Sequence, residues 1–232
     1  MESMEIVPMT ALLAPPSIDN DHDIQASTND VLACLATRPG LFTGYDAILV
    51  ACFSVHALVP ALSGRLPGVP VTGIFEAGVL AALSLLGPSE KWGIVTTGEF
   101  WERHLGEGVD AFLGIRGRGR GRGCGAAAAA GVEHTKFAGV FSSGLTAGDF
   151  HTVSASEVRE KLGAAARRLL ASGEVGCVVM GCGGMAGLED IIRSAAVEVY
   201  DESRAKSLYI VDGVRAGILQ LHQTVHGRRM FR

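Results

Sequence analysis

The sequence predicts an α/β protein, and three observations carry that prediction. Short β-branched runs alternate with longer segments of helical period, the mark of successive βαβ units around a largely parallel sheet. Several apolar runs end abruptly in a turn that opens a helix, as in YDAILVACFSVHALV at 45–59 and EVGCVVMGCGGMAG at 174–187. The chain is 232 residues long and 48% hydrophobic, ample for one doubly wound core or for two small subdomains sharing an interface.

Taken in order, strands are expected at 5–10 (EIVPMT), 46–52 (DAILVAC), 69–74 (VPVTGI), 92–97 (WGIVTT), 137–142 (FAGVFS), 176–182 (GCVVMGC) and 207–211 (SLYIV). Helices fit between them at about 27–38, 56–64, 76–86, 99–112, 156–172, 186–200 and 213–225, with Ser154 or Ser156 suited to cap the fifth. Most strands therefore feed straight into a helix.

An internal echo divides the chain. ILVACFS followed by VTGIFEAGVLAAL recurs as VVMGCGG followed by LYIVDGVRAGIL, matching Cys52 with Cys182 and Glu76 with Asp212. The echo predicts two similar doubly wound, Rossmann-like parallel-sheet halves related by a pseudo-twofold axis, with a cleft between them. The first half is expected to comprise 1–88 plus 205–232 and to carry Cys52; the second is 89–204 and carries Cys182. In such sheets ligands bind outside the carboxyl ends of the strands, where both cysteines fall.

Residues 114–131, GIRGRGRGRGCGAAAAAG, break the pattern. Alternating Gly and Arg cannot bury a face, so a disordered surface insertion is expected. Its four arginines are of the kind that touch RNA, but one short run in an acidic chain does not make a nucleic-acid protein.

Composition narrows the partners. A net charge of −4 with 19% charged residues provides no basic field for nucleic acid or anionic lipid, which points to a small-molecule substrate. The longest apolar stretches, near 46–53 and 77–86, are too short to cross a bilayer, and the amino terminus lacks a signal-peptide pattern, so a cytoplasmic, membrane-free protein is expected. Five cysteines, an odd number in a chain of intracellular type, are expected to stay reduced.

A thiol at a strand end that opens into a helix amino terminus sits near unpaired N–H groups and the positive end of the helix dipole, both of which favour thiolate. Two such thiols across one cleft suit the inversion of a carbon stereocentre. One thiolate removes the proton from carbon, and the opposite thiol protonates the enolate from behind. Cys52 and Cys182 are the candidate bases. Main-chain N–H groups of Phe53 and Ser54, and of Gly183 and Gly184, are candidate oxyanion donors, and the Thr96 and Thr97 hydroxyls at the end of WGIVTT are candidate ligand contacts. No cofactor is called for.

The same residues carry a family resemblance. YDAILVACFS, PVTGIFEAG, WGIVTT, FAGVFSSGL, VVMGCGGMAGL and IVDGVRAG, in this order, resemble the hydantoin and allantoin racemase branch of the aspartate/glutamate racemase superfamily, from about residue 5 to 225. The resemblance implies two catalytic cysteines, matched by Cys52 and Cys182, and ligand-anchoring positions matched by Phe53, Ser54, Thr96, Thr97 and Gly183. It also implies no cofactor, a cleft between two α/β halves, and a homo-oligomer. Members of that family open with a strand ending in an Asn-Pro-Asn-like turn whose asparagine reaches the ligand. This chain begins at what resembles their second strand, EIVPMTALLAPPSID. The comparison therefore favours a truncated chain over a true short form rescued by a partner.

The remaining candidates have plainer readings. Cys34 and Cys177 read as small core hydrophobes, and Cys124 as an exposed bystander in the insertion. Cys177 and Cys182 are an odd number of residues apart, so strand alternation points them to opposite faces. His56 reads as structural, and Glu76 and Asp212 as helix caps. No set of Cys or His residues has zinc spacing, and GCGGMAG lacks the spacing of a dinucleotide loop. The leading expectation is racemisation of a 5-substituted hydantoin or allantoin. Its rivals are another cofactor-free enolate isomerase or decarboxylase, and a non-catalytic binding relative.

Overall fold

The structure, a computed structural model, describes residues 4–115 and 136–231. Its elements run α1 (Asp21–Thr37), β1 (Ile48–Val50), α2 (Leu58–Arg65), β2 (Val71–Gly73), α3 (Ile74–Leu85), β3 (Lys91–Thr96), α4 (Phe100–Phe112), β4 (Phe137–Ser142), α5 (Asp149–Thr152), α6 (Ala155–Leu170), β5 (Val175–Met180), a 3₁₀ turn (Gly183–Met185), α7 (Glu189–Val199), α8 (Glu202–Ser207), β6 (Tyr209–Asp212) and α9 (Gly213–Met230). The fold is α/β with parallel sheets, as the alternation of runs predicts. β1 and β2 form one parallel pair, and β4-β3-β5-β6 form a parallel four-stranded sheet.

β5 shows why its sequence reads as continuously apolar. Val178 and Met180 enter one core with Leu162, Leu169 and Ile192, while Cys177 and Val179 enter another with Phe75, Trp92 and Leu105. Both faces are covered, so every position is buried. Cys177 and Cys182 fall to different cores, as their odd offset requires.

α3 and α9 join the two sheets. α3 packs on β2, β5 and β6, and α9 packs on α3, β1, β2 and β6. The segment 205–232 thus gives its strand to the four-stranded sheet and its helix to the contact between sheets. Asp212 starts that helix, its Oδ1 accepting from Val214 N–H at 2.7 Å and Arg215 N–H at 3.0 Å.

Several expectations are corrected. Residues 5–10 form no strand. Pro8 has no N–H to donate, residues 5–10 join neither sheet among the described residues, and Met4, Ile6, Val7 and Met9 remain 44–59% exposed. The first helix begins at Asp21 instead of 27, because the Asn20 side chain caps it by accepting from Asp23 N–H, with Asp21 and Asp23 in its first turn. α5 and α8 are additional short helices. Ser154, one of the two expected caps, starts α6 by accepting from Glu157 N–H. Of the insertion expected at 114–131, only Gly114 and Ile115 lie within the described residues, and Cys124 lies outside them. Among the described residues no helix is long and apolar enough to cross a membrane.

Candidate active site

β1 and β5 each deliver a cysteine just past the carboxyl end of the strand. Cys52 follows β1 by two residues and Cys182 follows β5 by two, and both are half-buried free thiols. Their turns touch: a side-chain carbon at Gly183 would lie 3.6 Å from the Ala51 carbonyl oxygen and 3.9 Å from Ile74. The thiols also sense each other, since Cys182 is one of the groups that raise Cys52.

The two environments differ. Burial pushes the Cys52 thiol up to about 11, opposed by the Ser54 hydroxyl 3.4 Å from Sγ. Burial also raises Cys182; the nearby backbone N–H groups of Gly184 and, less, of Met185 oppose the rise, and the Asp19 carboxylate adds to it. Cys182 opens the 3₁₀ turn in extended backbone conformation (φ −156°, ψ 137°), its carbonyl accepting from Met185 N–H at 3.1 Å.

The other sequence-derived candidates are placed as follows. The Phe53 ring is core, 4% exposed, meeting Phe75 edge-on with centroids 5.8 Å apart. Gly78 and Gly213 make room for it, because a side-chain carbon at either would come within 3.2 Å of the ring. Phe53 can therefore offer a ligand only its main chain. Ser54 is fully buried, and its N–H is committed to the Cys52 carbonyl at 3.0 Å, which removes it as an oxyanion donor. Gly184 N–H likewise serves the Cys182 sulfur. Gly183 sits at the junction of the two turns.

Thr96 and Thr97 lie at the end of β3 beside the Cys182 turn, both buried. Thr96 Oγ1 donates to the Gly181 carbonyl at 2.9 Å, and Gly181 N–H donates to the Val95 carbonyl at 2.7 Å. Thr96 thus locks the approach to Cys182 with its hydroxyl proton. The Thr97 carbonyl accepts from Gly144 N–H at 2.9 Å, tying in the loop after β4.

Sequence reasoning missed two groups. Asp19 reaches the Cys182 side: its carboxylate accepts from Ser17 Oγ at 2.6 Å and from Ala147 N–H at 3.3 Å. Ala147 in turn lies with Phe150 and the Cys182 sulfur around Gly184. His104 of α4 reaches the Cys52 side, its Nε2 accepting from Val55 N–H at 3.3 Å and its Nδ1 lying 3.4 Å from the Asp21 carboxylate. Neither carries a local motif; the contacts span 128 and 49 residues of sequence.

Other titratable groups keep plainer roles. His56 is buried, its Nδ1 accepting from Leu58 N–H at 3.2 Å and lying 3.5 Å from Thr28 Oγ1, and burial lowers it. Cys177 is a core thiol, raised to about 12 chiefly by burial. Glu76 folds back on Gly73, where a side-chain carbon would stand 2.4 Å from its Oε2, and burial raises its carboxyl. A separate cavity of about 250 Å³ lies at the amino-terminal end of β2, lined by Leu66, Pro70, Gln220 and Arg228; none of its residues belongs to the thiol site. Among the described residues no group of three or more His, Cys, Asp or Glu side chains is arranged to hold a metal ion.

The family described as Asp/Glu/Hydantoin racemase matches residues 1–221. Two uncharacterised proteins of Schizosaccharomyces pombe are similar. One is 29% identical over 173 residues, covering 75% of this chain and 60% of its own length; the other is 27% identical over 198 residues, covering 85% and 71%. This chain therefore spans less than two thirds of the first of them. Among solved structures, allantoin racemase from Klebsiella pneumoniae superposes with a TM-score of 0.65 at 24% identity, over 91% of this chain and 71% of its own. Allantoin racemase from Pseudomonas fluorescens gives 0.68 at 21%, over 96% and 78%. Glutamate racemase from Bacillus anthracis gives 0.58 at 16%, over 92% and 68%.

Proposed function

The chain belongs to the Asp/Glu/hydantoin racemase family, and from that premise we propose that it is a cofactor-independent racemase of a neutral cyclic ureide, a 5-substituted hydantoin or allantoin, working through Cys52 and Cys182. The observation that carries this reading is the meeting of two cysteine turns from the carboxyl ends of β1 and β5, with Gly183 against Ala51. The allantoin racemases among the structural neighbours favour a ureide as substrate.

The chemistry needs one thiolate and one thiol. The thiolate takes the proton from the carbon between ring carbonyl and ring nitrogen; the C–H electron pair moves onto the carbonyl oxygen as an enolate. The facing thiol gives its proton to the opposite face of that carbon, leaving the second sulfur as thiolate and the first as thiol. The reverse enantiomer runs the sequence backwards. Cys182, whose rise on burial is opposed by the backbone N–H groups beside it, is the thiol that ionises first, and Cys52, raised to about 11, is the resting acid. A sulfur base raised by burial is better matched to a weakly acidic C–H than a free thiolate would be.

Solvent deuterium incorporation into enantiopure 5-substituted hydantoins and allantoin, followed by proton NMR and polarimetry on the purified chain, tests the reading. Exchange with loss of optical activity supports it. Exchange with retained optical activity points instead to a one-thiol isomerase, and no exchange from folded protein to a non-catalytic relative.

A further inference from the structure

The Cys52 turn contains no regular secondary structure of its own, yet it must hold a thiol in register with a second turn from another strand. Inside the turn, Ser54 N–H closes on the Cys52 carbonyl at 3.0 Å and Ser54 Oγ stands 3.4 Å from the sulfur. The next residue, Val55, sends its N–H out of the turn to His104 Nε2 at 3.3 Å. An unprotonated Nε2 is required to accept that bond, so the ring carries its proton on Nδ1, which faces the Asp21 carboxylate at 3.4 Å. The His104 side chain is 16% exposed and the ring is fixed between Phe100, stacked at 5.2 Å, and Trp101, edge-on at 5.5 Å. The charged groups that face it are Asp21 from α1 and Glu107 and Arg103 from its own helix.

We infer that His104 is a positioning residue for Cys52: with its tautomer set by Asp21, it clamps Val55 N–H and so holds the turn in which Ser54 supports the Cys52 sulfur. Asp21 lies two residues from Asp19, which reaches the Cys182 side through Ala147, so one short segment ahead of and into α1 ties both thiol turns to the body of the protein. The clamp works only with a neutral ring. A proton on Nε2 sets donor against donor at Val55 and releases the turn. Its catalytic consequence rests on the two-thiol reading above; its geometric consequence does not.

The test is the pH dependence of iodoacetamide alkylation at Cys52 and at Cys182, read separately by peptide mass mapping on the full chain, for wild type, His104→Phe and His104→Gln. Phenylalanine keeps the aromatic packing and removes the acceptor, and the amide oxygen of glutamine restores an acceptor near the position of Nε2. His104→Phe is expected to move the Cys52 profile upward, slowing its alkylation about two- to tenfold at pH 8, because the Ser54 hydroxyl no longer supports the thiolate. Cys182 keeps its profile, and His104→Gln returns Cys52 to near wild type. A Cys52 profile unchanged in His104→Phe, or Cys52 and Cys182 shifting together, overturns the proposal. Should His104→Phe fail to fold, Asp21→Ala decides, because it frees the tautomer from an exposed position: a Cys52-selective shift in the same direction supports the clamp and its absence overturns it. A chain that shows the Cys52-selective shift but never exchanges substrate protons keeps the clamp and loses the racemase reading. A chain that racemises with an unmoved Cys52 profile does the reverse.

Discussion

The Thr96 hydroxyl donates to the Gly181 carbonyl across 2.9 Å, fastening the end of β3 to the residue that precedes Cys182. Both groups are cut off from water, Thr96 being fully buried. Thr96→Val preserves the shape and removes the donor, leaving the carbonyl unpaired at a cost of about 1–3 kcal/mol. Urea denaturation should show that loss as a lower midpoint with an unchanged slope. Turnover should fall as well, since the Cys182 turn loses the anchor that sets its height above the sheet.

If the thiols are the two bases, neither can be spared. Cys52→Ser and Cys182→Ser should each lower racemisation about 10²–10⁴-fold in both directions, because a hydroxyl is too weak a base for the first step and too weak an acid for the second. Each variant should retain hydrogen exchange into one enantiomer, the one whose proton faces the surviving thiol. NMR exchange on separate enantiomers, read beside polarimetry, checks this. Full racemisation by either variant would remove its cysteine from the mechanism.

The fold and the position of the thiols were legible in the sequence for a local reason. An apolar run of the right length marks a strand, and the small residues after it mark the turn, so Cys52 and Cys182 could be placed at strand ends from their neighbours alone. What was not legible depends on distant partners. Residues 5–10 have the composition of a strand, but a strand exists only by pairing, and composition does not say whether a neighbour stands alongside to pair with. The Phe53 ring packs against Gly78 and Gly213 and the Thr96 hydroxyl proton goes to the Gly181 carbonyl, contacts set by α3, α9 and the end of β5 that no local pattern announces. Asp19 and His104 reach the site from segments with no motif, through the way α1 and α4 are laid across the sheets.

Activity should rise with pH through the neutral range. Both thiols are raised, so near pH 7 the pair rests as dithiol, and the fraction carrying one thiolate grows about tenfold per pH unit until the first apparent pKa of the coupled pair. It falls again when the second thiol ionises, because no acid is left. Stability moves the other way. Cys52 and Cys177 are raised from 9.0 to about 11 and about 12, so the folded state holds protons that the unfolded chain gives up. Their contribution is fully present below pH 9 and is lost as pH rises toward 11 to 12. A kcat/KM profile and denaturation midpoints from pH 6 to 11 should therefore cross, with the best activity above the pH of best stability.

Asp19 offers a test of the asymmetry between the two thiols. Its carboxylate accepts from Ala147 N–H and from Ser17 Oγ, and its negative charge opposes ionisation of Cys182. Asn at this position keeps a carbonyl oxygen for Ala147 and removes the charge, so the fold should hold while the Cys182 thiolate becomes easier to form. Alkylation of Cys182 at pH 8 should accelerate roughly two- to tenfold, with Cys52 much less affected. A thiolate that forms more readily is also a weaker base, so the two effects partly cancel. Racemisation at pH 8 should consequently rise by less than alkylation does, and its pH optimum should move down. Equal acceleration at both cysteines would mean that the substitution had opened the site, and an unchanged Cys182 would mean that the Asp19 charge does not reach it.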